Sequence, residues 1–75
     1  MIMPNKHIST KYSLLGLGAL ILQNLQRPQR VSTLWEKLRV FPEVGTFERF
    51  VLALDLLYAL GAIEFQDNKL WRQSS

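Results

Sequence analysis

The chain has 75 residues with nine Lys/Arg against six Asp/Glu, so it is one small domain of net charge +3. It has no Cys, which excludes a disulfide staple and a thiolate site, and its one His, His7, among scattered acids makes no metal cluster. Hydrophobic residues make up 48% of the chain, yet small domains bury a smaller share of their surface than large ones, so some apolar surface is left for a partner or for water.

Residues 1–9 read as an N-terminal arm, because Pro4 opposes an early helix and nothing periodic precedes Tyr12. The folded domain is expected over 10–73, with 74–75 as a tail. A first helix is predicted from about Thr10 to Gln26, capped by the Ser9 or Thr10 hydroxyl and stopped by Pro28. Its apolar residues cover almost the whole circumference: Leu14, Leu17, Ile21, Leu22 and Leu25 on one side, Leu15, Ala19 and Leu20 elsewhere. Such a helix is normally covered all round. Gly16 and Gly18 each weaken it by about 1 kcal/mol relative to Ala, which predicts close approach by another backbone. The run Leu14–Leu22 is too short for a bilayer core that needs about 20 residues, and it ends in "QNLQRPQR" without a small-residue cleavage site. It is predicted to be a buried helix, with no membrane segment and a cytoplasmic location.

"PQRVS" is a short extended piece. A second helix is predicted from Thr33 to about Val40, with Ser32 or Thr33 as cap, Thr33 and Glu36 at capping-box spacing, and an apolar stripe of Leu34, Trp35 and Leu38. "FPEVG" connects it to a third helix that starts after Thr46 and runs to Leu60, with Gly61 at the left-handed position that ends a helix. "AIEFQ" and "KLWRQ" then alternate around Asp67-Asn68, a pair that tolerates positive φ, and predict a hairpin. The order is helix, short strand, helix, helix, hairpin. This predicts a mainly α fold with a small β-sheet: a winged helix-turn-helix in which "QRVS" pairs with the hairpin to close three strands.

In a helix-turn-helix DNA reader, the second helix of the motif enters the major groove and carries polar side chains to base edges. Here that helix is the third. A wheel at 100° per residue puts Phe47, Phe50, Val51, Leu54, Leu57 and Tyr58 on its core face and Glu48, Arg49, Leu52, Asp55, Leu56 and Ala59 on the opposite face. One Arg would meet bases and two acids would oppose phosphates. Leu52 and Leu56 lie one turn apart, and leaving each wet forfeits roughly 1.5–3 kcal/mol of burial. A partner protein with an apolar groove or helix is the expected cover, as in helix-in-groove recognition. The plainer alternative is that single exposed leucines are ordinary. Asp55 is expected at the rim, keeping the helix soluble or pairing with an Arg across an interface, since a lone buried carboxylate is costly. The expected protein-interface residues are Leu15, Leu20, Leu52 and Leu56, with Arg49 and Asp55 at the rim.

A nucleic-acid reading also has a carrier. Strand pairing brings Arg30 near Lys69 or Arg72 with Trp71 between those two, a basic wing able to touch phosphates without reading sequence. The plainer alternative is a solvated sheet edge with Trp71 packed inward. No catalytic constellation is present: His7 has no acid or nucleophile near it in sequence, and "GLG" at 16–18 lacks the third Gly and preceding strand of a phosphate loop. A non-enzyme without a cofactor is expected.

"MPNKHI" at 3–8, "SLLGLGALIL" at 13–22, "RPQRVSTLWEKL" at 27–38 and "GTFERFVLALDLLYALGAIEF" at 45–65 together resemble middle component 6 of the bacterial ABC-three-component systems. The similarity covers nearly the whole chain, and "FVLALDLLYALGAI" is its most specific part. The resemblance implies a small winged-helix subunit encoded beside an SMC-like ABC ATPase and an effector, in conflict or anti-phage defence modules related to Lamassu. It implies a linking role between ATPase and effector, with ATP and Mg²⁺ belonging to the partner. It carries no catalytic motif. Two further expectations stand beside an adaptor: a DNA-binding winged helix, and a homodimer through the same apolar faces.

Overall fold

The computed structural model describes the backbone of residues 6–73 and the side chains of residues 13–73. The element order is α1 (Lys6–Gln23), β1 (Gln29–Arg30), α2 (Val31–Leu38), α3 (Phe47–Ala59), β2 (Ile63–Gln66) and β3 (Lys69–Arg72). The three strands form one antiparallel sheet in the order β1-β3-β2. Three helices with a small sheet give the winged-helix layout. Of the arm expected over residues 1–9, residues 6–9 form the start of α1, while residues 1–5 and the tail lie outside the described residues.

α1 begins at Lys6, so Ser9 and Thr10 lie within the helix rather than at its start. It ends at Gln23 rather than Gln26. The Asn24 side chain donates to the Leu20 carbonyl at 2.9 Å, and the Asn24 backbone N–H turns toward Ile21 at 3.0 Å. A local side-chain bond of this kind competes with helix propagation, so the chain leaves the helix well before Pro28.

α2 also starts earlier than its hydroxyl residues suggest. Arg30 is its N-cap, extended at φ −72° and ψ 150°, and no side chain caps the helix. Arg30 is held in that conformation by pairing with Lys69, so the sheet sets the boundary and Ser32 and Thr33 fall in the first turn. The capping box does not form; Glu36 instead meets Arg39 at 3.2 Å on an exposed surface, a pair worth little. The helix ends at Leu38, short of Val40.

α3 follows its sequence signals closely. The Thr46 hydroxyl accepts from the Arg49 N–H at 3.1 Å, the N-cap bond. At the other end Gly61 has φ +76°, its N–H donates to Tyr58 at 3.0 Å, and the Ala62 N–H donates to Leu57 at 2.9 Å. These two bonds make a Schellman motif, which satisfies the last carbonyls and turns the chain directly into β2. Asp67 and Asn68, at φ 55° and 65°, form the two-residue turn between β2 and β3.

The core comprises Leu17 and Ile21 of α1, Leu25 just after it, Leu34 and Leu38 of α2, Val44 of the α2–α3 connection, Phe50, Ala53, Leu54 and Leu57 of α3, and Ile63 and Leu70 of the sheet. Trp35 packs beside it, edge-on to Phe47 at 5.1 Å between ring centroids. The core face of α3 is rotated from the wheel assignment. Phe47 and Tyr58 are half exposed, while Ala53 is fully buried. The cause is the α1 crossing: a Cβ on Gly18 would sit 3.2 Å from the Leu57 Cδ2, so α1 presses on the Ala53–Leu57 side of α3. Small residues permit that approach, and Ala53 carries too weak a hydrophobic signal to show it in sequence. Gly16 meets nothing within 4 Å, and what Gly18 approaches is the Leu57 side chain rather than a backbone.

Candidate functional site

α1 and α3 leave apolar side chains uncovered on both sides of their crossing. On α1, Leu15 is 48% exposed and Ala19 is exposed, although the helix is apolar almost all round. Leu15 precedes Gly18 by three residues and Leu22 follows it by four, so both flank the contact with α3. Leu20 is half-buried and packs against the core. It lies about 140° from Leu15 at the helical period and borders a shallow recess with Phe41, so the two leucines occupy different flanks of α1.

On α3, Leu52 is 47% exposed and Leu56 is half-buried. Neither enters the interior. Leu60, 65% exposed and just past the last residue of α3, extends their stripe one turn further. Asp55 is exposed beside this stripe. Its neighbours at three and four positions either way are Val51, Leu52, Tyr58 and Ala59, so α3 offers it no cation. Among the described residues its carboxylate has no salt bridge.

Arg49 is committed within the chain. Its Nε donates to the Val44 carbonyl at 3.2 Å, and its Nη2 donates to the Ser13 Oγ at 2.8 Å and to the Glu43 carbonyl at 3.4 Å. The guanidinium thereby ties α1, the α2–α3 connection and the start of α3 together. This leaves the outward face of α3 with no unengaged cation for a base edge, since its remaining charged residues are Glu48 and Asp55.

The wing brings a second group together. Arg30 pairs with Lys69, and alternation along β3 places Lys69 and Trp71 on one face of the sheet with Arg30. Arg72 falls on the other face, opposite Ile63. Trp71 is half-buried and borders the same open recess as Pro28 and Lys69. Glu64, opposite Trp71, shares the face and dilutes its charge.

Between α3 and the inner face of the sheet lies a crevice of about 360 Å³. Leu54, Ile63 and Leu70 form its floor, Val31 and Val51 its walls, and Asp55, Tyr58 and Phe65 its rim. Sequence reading missed it. Tyr58 was placed in the core, and Phe65 was simply one apolar residue of an alternating strand; only the angle between α3 and the hairpin separates them.

No helix among the described residues is long and apolar enough to cross a membrane. No curated protein and no solved structure matches the chain at a significant level. Residues 3–73 match the family described as ABC-three component (ABC-3C) system Middle Component 6. The match spans all three helices and the wing, and the chain belongs to that family of multicomponent-system subunits.

Proposed function

We propose that this protein is a non-catalytic adaptor subunit that joins an SMC-like ABC ATPase to an effector in a cytoplasmic anti-phage or conflict system. The carrying observation is the exposure of Leu52 beside half-buried Leu56 on the helix that a DNA reader would place in the major groove. A helix face carrying such leucines suits an apolar groove or helix of a partner protein, not base edges. Leu15 and Leu20 extend the apolar surface onto α1, and Asp55 sits at the rim. Arg49 contributes by holding α1 and α3 at their crossing. Membership in a middle-component family supports protein partners, and ATP with Mg²⁺ then belongs to the ATPase.

The test replaces Leu52 and Leu56 together by Asp and measures folding and co-purification with the other system components. Retained folding with lost co-purification is expected. Retained folding with undiminished co-purification overturns the adaptor reading. A homodimer through the same faces would appear as a mass that doubles with concentration and reverts in the same double variant.

A second reading rests on the Arg30–Lys69 pair with Trp71 on one sheet face. Such a face can contact phosphates without reading bases. Duplex binding over a salt series tests it: if Arg30→Ala and Lys69→Ala each lower the salt slope by about 1, the wing touches DNA, with Arg72→Ala as the opposite-face control.

A further inference from the structure

We infer that the crevice between α3 and the wing is a second docking site, which takes an extended segment of another component of the same system along β2. That segment presents one bulky apolar side chain with a Lys or Arg beside it. The site goes beyond the leucine surface and does not depend on it.

Three observations fix the chemistry of the occupant. First, β2 is an edge of the sheet, since the strand order is β1-β3-β2. A two-residue turn makes its flanking pair, Gln66 and Lys69, a hydrogen-bonded one, and antiparallel pairing alternates from there. Glu64 therefore bonds toward β3, while the backbone N–H and C=O groups of Ile63 and Phe65 face the free edge. An added strand bonds to those groups. Second, the side chains of the same two residues line the crevice, Ile63 at its floor and Phe65 at its rim, so a strand laid on this edge has an apolar pocket beside it. Third, the only charge among the residues described on the rim is Asp55, which has no cation within one turn on its own helix and no salt bridge among the described residues. A cationic residue on the incoming strand complements it.

The placement gives α3 two separate apolar borders. Leu52, Leu56 and Leu60 lie toward α1, and Val51 and Tyr58 lie toward the wing, with Asp55 between them on the wheel. A subunit that links two proteins needs two such surfaces.

The test puts a photoreactive benzoylphenylalanine at Phe65 in the full chain, co-expressed with the other components of its system. An adduct to another component is expected. Its mapped attachment should lie in an extended segment with a Lys or Arg within a few residues. Asp55→Asn should lower the yield about threefold, and Asp55→Lys should lower it further, with the thermal melt unchanged because Asp55 is exposed. No adduct to another component, an adduct only to a second copy of this chain, or a yield indifferent to Asp55→Lys overturns the proposal. The Leu52/Leu56 double variant distinguishes the two surfaces, since a persisting Phe65 adduct in that background shows the crevice acting alone.

Discussion

Two glycines two positions apart on one helix have different physical tasks. A Cβ at Gly16 meets nothing within 4 Å, so Gly16→Ala removes only the backbone-entropy penalty and should raise stability by about 0.5–1 kcal/mol in a urea titration. At Gly18 the same Cβ would lie 3.2 Å from the Leu57 Cδ2 in the packed core, so Gly18→Ala should gain less than Gly16→Ala. Gly18→Val should lose about 1–3 kcal/mol by overpacking. Gly61 differs again. Its φ of +76° closes the Schellman motif with open space where a Cβ would go, so the loss in Gly61→Ala is conformational. It should be about 1–2 kcal/mol, with Gly61→Asn recovering part of it.

At the scale of elements, α3 is the hub. Thr46 starts it, the Schellman motif fuses its end to the wing, and Arg49 pins its first turns to α1 and to the chain after α2. Removing the guanidinium leaves the Val44 and Glu43 carbonyls to water and frees the connection. Arg49→Ala should lower stability by about 1–2 kcal/mol and speed hydrogen exchange from Val44 to Phe50. Arg49→Lys should restore little of this, because a single ammonium cannot serve the three acceptors that the planar fork reaches. An unaffected exchange rate in Arg49→Ala would show that the tether adds nothing to the connection.

For the whole molecule, the balance between core and surface decides what each leucine is for. A core of this size supplies about 3–5 kcal/mol in total. Ile21, fully buried, should cost about 2–5 kcal/mol on truncation to Ala, enough to leave a large unfolded fraction at equilibrium. Leu52, 47% exposed, should cost under about 1 kcal/mol. Comparing the two urea midpoints separates side chains that hold the fold from side chains left for a partner. Equal losses would place Leu52 among the former and remove its claim to an interface.

Much of this architecture was legible in the residues themselves. Thr46, Gly61 and Asp67-Asn68 mark boundaries whose bonds are local, so the start of α3, its end and the hairpin turn fall where their chemistry predicts. The alternation in the wing also suffices to give its two faces. The start of α2 was not legible, because Arg30 is held extended by a strand far away in sequence and that pairing overrides the hydroxyls that follow. The rotation of α3 was not legible either: Phe47 and Tyr58 have the hydrophobicity of core residues, and only the approach of α1 at Gly18 decides that Ala53 is buried in their place. The same long-range packing opens the crevice beside β2 and commits Arg49. Composition by itself established a surplus of apolar side chains; which of them stay uncovered was decided by how helices and sheet meet, because burial belongs to pairs of surfaces and not to single residues.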